Sequence, residues 1–381
     1  MFKKMPFLLL ALIALAGIVH PWIPLPVKSV LYAVSLSLKS IILFLLPFLI
    51  FGLIFKTAAQ LSKGASKVIL FLIAGICLSN FLSTMISYTV GTAAYQFDLS
   101  MQLIETGAGL APAWTLSLPK WIGNGQAMLS GLVLGIVLGR WKPAWAEFLS
   151  VRIEKGIMAF FRKFLYVIPV FILGFVIQMY HDQVMGQIIR SYGLVFALVS
   201  CAVFAYIGLI YFAAVGKRFF ECLKNMMPAA IAGFGSMSSA AAMPLTILGT
   251  EKNARNPDLA RSVIPATVNI HLIGDCFAIP IFAFAVLKSF GVAEPCFMSY
   301  LIFAAYFVLA KFSVAAVPGG GILVMLPVLE THLGFDPAML SLITALYILF
   351  DPVITCANVL GNGGFALVVD RLLGKQKQLA V

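Results

Sequence analysis

Four apolar segments in the last third of the chain carry what hydrocarbon tolerates poorly: ionisable side chains, paired serines and a triple glycine. They read GFGSMSSAAAMPLT from Gly233 to Thr246, NIHLIGDC from Asn269 to Cys276, KFSVAAVPGGGI from Lys311 to Ile322, and DPVITCANVLGNGG from Asp351 to Gly364. Such groups are expensive inside a membrane, face protein or water rather than lipid, and by default mark a substrate or ion pathway. The glycine run permits unwound backbone, which survives at membrane depth only where it is buried in protein or lines a cavity. The chain must therefore build a polar interior inside an apolar body.

The apolar body follows from composition. Hydrophobic residues make up 62% of the 381, charged residues only 10%, and mean hydropathy is +1.04. A soluble domain carries about 25% charged residues, so this chain has too few to cover a water-facing surface. Stretches of about 20 apolar residues span a bilayer. They fall near 7–24, 29–55, 66–95, 122–139, 160–180 and 190–215, followed by the interrupted segments 225–250, 262–287, 299–335 and 338–368. The polar stretches 140–156 and 251–261 read as cytoplasmic loops, and 100–120 as an external one. Lys3 and Lys4 precede an apolar run that lacks a small-residue cleavage site, which predicts an uncleaved first helix. The six cysteines are scattered without a CxxC pair, so they read as packing residues; neither a disulfide framework, nor a metal site, nor a cofactor motif is indicated.

A net charge of +12 reports orientation here rather than nucleic-acid binding, for which nothing speaks. With both termini cytoplasmic and 225–250 and 299–335 taken as re-entrant hairpins, the basic residues sort. Lys3, Lys4, Lys56, Lys63, Lys67, the run from Arg140 to Lys163, Lys217, Arg218, Lys224, Lys252, Arg255, Arg261, Arg371, Lys375 and Lys377 fall inside. Lys28, Lys120, Arg190 and Lys288 fall outside. A full crossing by either hairpin would invert everything after it and spoil the sorting.

In the last segment Asp351, Thr355, Asn358 and Asn362 stand at i, i+4, i+7 and i+11, one stripe of a helix. One carboxylate, one hydroxyl and two amides on one face suit a small zwitterion, the carboxylate taking an ammonium group and an amide a carboxylate. A polar seam that merely glues helices rarely needs an ionised residue as well. His271 and Asp275, at i and i+4, are expected on one face of an apolar helix next to Asn269, a pairing used in proton relays.

These four segments, in this order and spacing, resemble the dicarboxylate/amino acid:cation symporter family, which includes glutamate transporters and their neutral amino acid relatives. The serine-rich first hairpin corresponds to Ser236-Met237-Ser238-Ser239 and Met243-Pro244-Leu245-Thr246, and the Val-Pro-Gly-x-Gly tip of the second to Val317 to Gly321. The eighth helix corresponds to Asp351, Thr355, Asn358 and Gly361-Asn362. The resemblance is good over 225–370. It implies an all-α polytopic carrier of eight transmembrane helices and two re-entrant hairpins, an elevator-type homotrimer in a bacterial-type inner (plasma) membrane. Residues 1–65 (helices 1 and 2) and 96–185 (helices 4 and 5) would be scaffold. Residues 66–95 (helix 3) and 186–381 (helix 6, hairpin 1, helix 7, hairpin 2, helix 8) would move. By the same resemblance Asp351 holds the substrate ammonium group and Asn358 its α-carboxylate, with the backbone of Ser238, Ser239 and Val317, Pro318, Gly319, Gly320 closing around it.

Departures from the family pattern bear on substrate and coupling. Acidic-substrate members place an arginine three residues after the aspartate; here stands Ile354, and a carboxylate without a partner in a dry pocket costs several kcal/mol. This favours neutral amino acids over glutamate, aspartate or dicarboxylates. The family's Asn-Met-Asp-Gly-Thr motif aligns with His271 to Asp275, placing Ile273 where a sodium-binding aspartate is usual, and Asn362 replaces a second one. Lys311 falls where a third cation would sit, either as a built-in cation or snorkelling to the interface. A proton is thus favoured over sodium as the coupling ion. An enzyme is disfavoured for want of a nucleophile motif, and an uncoupled exchanger or channel is the weaker carrier-class alternative.

Overall fold

The computed structural model describes residues 5–62, 67–96, 109–119, 121, 122, 124–182, 185–312, 314 and 319–378, and the regular elements among them are all helices. In chain order these are α1 (Met5–Val19), α2 (Leu25–Ser62), α3 (Lys67–Gln96), α4 (Asn124–Trp141), α5 (Pro143–His181), α6 (Met185–Val215), α7 (Phe219–Ser236), α8 (Ser239–Asn253), α9 (Pro257–Thr267), α10 (Ile273–Ser289), α11 (Phe297–Lys311), α12 (Gly320–Leu333) and α13 (Pro337–Gln378). Among the described residues, Leu70–Gln96, Tyr192–Ser236 and Met339–Leu373 are long and apolar enough to cross a membrane.

The helices pack as two groups. In the first, α2 lies against α4 and α5, and α1 against α5. Gly131 and Gly135, one turn apart on α4, make the closest approach possible. A Cβ at either would overlap the backbone carbonyl of Phe51 or Phe55 on α2, the small-residue packing that brings helices together where lipid supplies no hydrophobic drive. In the second group α10 is the central rod, packed by α3, α6 and α13. Every residue from Ile273 to Leu287 is buried, as expected of a helix that is apolar on all sides. Two helix pairs complete the group, α7 with α8 packed on α13 and α11 with α12 packed on α3 and α13, and α13 touches α6 through α10. Among the described residues contact between the two groups is sparse, and its main points are where α5 meets α6, α1 meets α7 and α13, and α12 meets α2.

Three stretches differ from the expectation. Residues 140–156 are not a loop, because α5 begins at Pro143, whose fixed φ and missing N–H suit a first helical turn, and runs unbroken to His181. Its charged start is amphipathic: Ala146 and Ser150 are buried, while the Arg152 guanidinium sits 4.3 Å from the Phe148 ring one turn earlier. Residues 251–261 are mostly helical too, since α8 continues to Asn253 and α9 starts at Pro257. Conversely 262–287 is not one helix. The chain leaves helical geometry over 268–272, between α9 and α10.

Candidate functional site

The site forms where both helix pairs and the break before α10 converge on α13. Asp351 is 3% exposed and faces the start of α12. Its Oδ2 accepts from the Gly319 N–H at 2.9 Å, and its Oδ1 from the Thr355 hydroxyl at 3.2 Å, one turn along the same helix. Gly319 can serve because it has φ 71, a left-handed conformation open to glycine at no steric cost, and it is the N-cap of α12, so the carboxylate lies at the N-terminal end of that helix, where an anion complements the dipole. Gly320 and Gly321 follow, both buried; a Cβ on Gly321 would overlap the Tyr347 hydroxyl and the Asp275 carboxylate. Val317 and Pro318 lie outside the described residues.

The first helix pair reaches the same stripe from the other side. Gly233, near the end of α7, packs against the Thr355 carbonyl and the Val359 side chain. Met237 then turns the chain with φ 49, and Ser238 caps α8, its Oγ accepting from the Ala241 N–H at 3.2 Å. Ser236 Oγ donates to the Ala232 carbonyl at 2.6 Å. The serine cluster thus builds the turn itself, with Ser239 buried at 4% exposure.

Asp275 is the second buried carboxylate. It stands in the first turn of α10, where an anion complements the helix dipole. Its Oδ2 is 2.9 Å from the Lys311 Nζ, while its Oδ1 accepts from the Tyr347 hydroxyl at 3.0 Å and the Asn358 amide at 3.4 Å. Lys311 is 0% exposed, so it does not snorkel to an interface. Asn358 also accepts from the Gly274 N–H at 2.8 Å, and Asn362 donates to the Asn358 carbonyl at 2.9 Å. The α13 stripe is therefore buried from Asp351 to Asn362 as expected, and most of its amide groups are held by α10 and by α13 itself. Ile354 is 1% exposed within the apolar core.

The expected pairing of His271 with Asp275 on one helix face is not what forms. His271 precedes α10, in the unwound stretch. Its Nε2 hydrogen-bonds the Ser79 hydroxyl at 2.9 Å, its ring lies 4.5 Å from that of Phe365, and the Asn362 side chain is beside it. His271 Nδ1 and Asn362 Oδ1 are both buried without a hydrogen-bond partner among the described residues. Asn269, in the preceding turn, is exposed and does not join the cluster. The i, i+4 argument fails because it presumes a continuous helix. Here Asn80 replaces the lost helical bonds, donating to the Ile270 carbonyl at 2.7 Å and accepting from the Leu272 N–H at 3.3 Å.

One further α13 residue and a polar stripe on α3 escaped the sequence reading. Tyr347 lies four residues before Asp351 and extends the same stripe by one turn. Asn80, Ser83, Thr84 and Ser87, all 0% exposed, stand on α3 at i, i+3, i+4 and i+7, a one-face helical spacing of the same kind as the i, i+4, i+7, i+11 stripe on α13, and Ser79 borders it. The signal was present there in the same form.

Comparison with known proteins agrees with this architecture. The sodium:dicarboxylate symporter family model matches residues 126–372, and the chain belongs to that family. It is 27% identical over 255 residues to an excitatory amino acid transporter 3 of Bos taurus, covering 64% of this chain and 48% of that one. It is 30% identical over 162 residues to an excitatory amino acid transporter of Onchocerca volvulus, covering 42% of this chain and 32% of that one. Against the serine/threonine transporter SstT of Acinetobacter baumannii (strain AYE) it is 22% identical over 354 residues, covering 85% and 86%. The chain thus spans less than half the length of the two animal relatives. It is a helical, multi-pass membrane protein in a family of transporters rather than enzymes.

Proposed function

We propose that this protein is a secondary active transporter of small neutral amino acids, working by an elevator mechanism with a proton as the coupling ion. One observation carries the substrate reading. Of the two carboxylates buried in the site, Asp275 has a lysine and Asp351 has no cationic partner among the described residues, only an N–H and a hydroxyl. A buried carboxylate is strongly stabilised by an ion pair, and the ammonium group of an amino acid supplies one by displacing the Gly319 N–H. Thr355 and Asn358 face the rest of the zwitterion, with the tips around Ser238, Ser239 and Val317 to Gly320 closing over it. Ile354 leaves a side-chain carboxylate without a counter-charge, and Lys311, the one lysine of the cluster among the described residues, is committed to Asp275, which supports neutral over acidic substrates.

The two helix pairs are the re-entrant hairpins in this reading. The α2, α4, α5 group with α1 is the scaffold of a homotrimer in an inner membrane with both termini cytoplasmic. Residues 66–95 and 186–381 form the moving part, and the sparse packing between the groups is what such movement requires. Proton coupling rests on His271, whose free Nδ1 beside Asn362 can take up a proton where the family's sodium ligands are missing. The deciding experiment is uptake by purified protein in liposomes against a panel of amino acids, with sodium and proton gradients imposed separately. Saturable uptake of neutral amino acids driven by a proton gradient is expected. Preferential uptake of aspartate or dicarboxylates, or steep sodium dependence, would refute it in favour of an acidic-substrate symporter.

A further inference from the structure

Lys311 and Asp275 form an ion pair in which both side chains are 1% exposed or less, and a carrier of amino acids has no evident need of it. The pair joins two helix ends of opposite polarity. Lys311 is the last residue of α11, where a cation complements the dipole, and Asp275 sits in the first turn of α10, where an anion does. The ammonium group is enclosed on its other side by the Phe307 ring, 4.5 Å away and one turn back on α11, a cation–π contact strengthened by burial. The remaining carboxylate oxygen is taken by Tyr347 and Asn358. Gly321, at the start of α12, rests against the same carboxylate and the same tyrosine. Both arms of the second hairpin therefore converge on Asp275, one through its charge and the other through its lack of a side chain.

We propose that the Lys311 ammonium group is a tethered counter-cation. It occupies, as part of the chain, a monovalent-cation site built on the Asp275 carboxylate, whose other oxygen is held by the Tyr347 hydroxyl, so that seating the hairpin on α10 consumes no dissolved cation. This rests on the transport reading only for its purpose; the site itself does not depend on the substrate. A carboxylate oxygen is the kind of ligand a hard cation takes, and a buried carboxylate stripped of its partner is strongly destabilised. Removing the ammonium group while leaving the carboxylate should therefore convert an internal salt bridge into a sodium-binding site, without changing anything at Asp351.

The test is thermal unfolding of the purified full-length protein in nanodiscs, titrated with sodium chloride against choline chloride at constant ionic strength and with no amino acid present. Wild type is expected to unfold at the same temperature in both salts. Lys311→Ala should unfold earlier in choline and recover saturably with sodium. Lys311→Met/Asp275→Asn, which removes both charges at nearly constant volume, should be more stable in choline than Lys311→Met alone and indifferent to sodium. Lys311→Ala/Asp275→Asn should likewise lose the sodium response. The proposal is overturned if sodium does not stabilise Lys311→Ala, if its effect survives Asp275→Asn, or if the charge-free double variant is no more stable than the single. Should Lys311→Ala not fold, the comparison of Lys311→Met with the double variant still decides. Because no substrate enters the assay, an error about the amino acid carried leaves this result unaffected.

Discussion

Replacing Asp351 by asparagine separates substrate recognition from stability. Without substrate the carboxylate is buried and accepts two neutral hydrogen bonds, from Gly319 and Thr355. Asparagine keeps one acceptor oxygen and turns the other position into a donor facing a donor. The lost bond costs about 1 kcal/mol, and removing a buried charge with no cationic partner returns as much or more. The substrate-free protein should therefore unfold at a temperature no lower than wild type. Binding is a different matter, because in the proposed reading the substrate ammonium group loses the Asp351 counter-charge in a desolvated pocket. An ion pair of that kind is worth about 3 kcal/mol or more, which is roughly a hundredfold or greater in Kd. The assay is equilibrium binding of the best neutral amino acid from the uptake panel, alongside thermal unfolding with and without it. A change in Kd of less than about fivefold, equivalent to roughly 1 kcal/mol, would refute the assignment of Asp351 as the ammonium partner. An intact Kd with collapsed stability would reassign it as a structural latch for the hairpin tip.

Two further outcomes follow from the same geometry. Gly321→Ala places a Cβ on Tyr347 and Asp275, an overpacking that costs about 1–3 kcal/mol; the unfolding temperature should fall and uptake slow, whereas Gly235→Ala, with open space at its Cβ, should leave both near wild type. His271→Ala should abolish accumulation driven by a proton gradient while leaving counterflow exchange of unlabelled for labelled amino acid; undiminished gradient coupling would clear this histidine of the role.

What could be read from the sequence is what a regular helix transmits. The α13 stripe was legible because 3.6-residue spacing holds from Asp351 to Asn362 without interruption, and the two serine and glycine turns were legible because each must break an apolar helix. The reading failed wherever distant residues overrule local order. Nothing near His271 announces that Asn80, some 190 positions earlier, takes over the backbone bonds of the unwound stretch, so the residue lands beside Ser79 and Phe365 instead of Asp275. Likewise the charges of 140–156 suggested a loop, although Trp145, Phe148 and Arg152 suit an amphipathic helix whose polar side needs no core. Lys311 illustrates the limit most clearly: its residue type and position admitted an interfacial or a buried placement, and only the carboxylate waiting on α10 selects between them.

The central rod α10 has no outside. From Ile273 to Leu287 each successive side chain meets other protein, so there is no face along which substitutions can drift unnoticed, and close packing makes even a methylene count. On α4, by contrast, Leu129, Val133, Leu134 and Ile136 are exposed while Gly131 and Gly135 are wedged against α2. Saturating substitution should therefore give two kinds of signature: a periodic one on α4, rising and falling with each turn, and on α10 an unbroken block of fifteen intolerant positions. The departures of this chain from its family's pattern on the rod, Ile273 and Asp275, both fall in the first turn, at the end that faces the site.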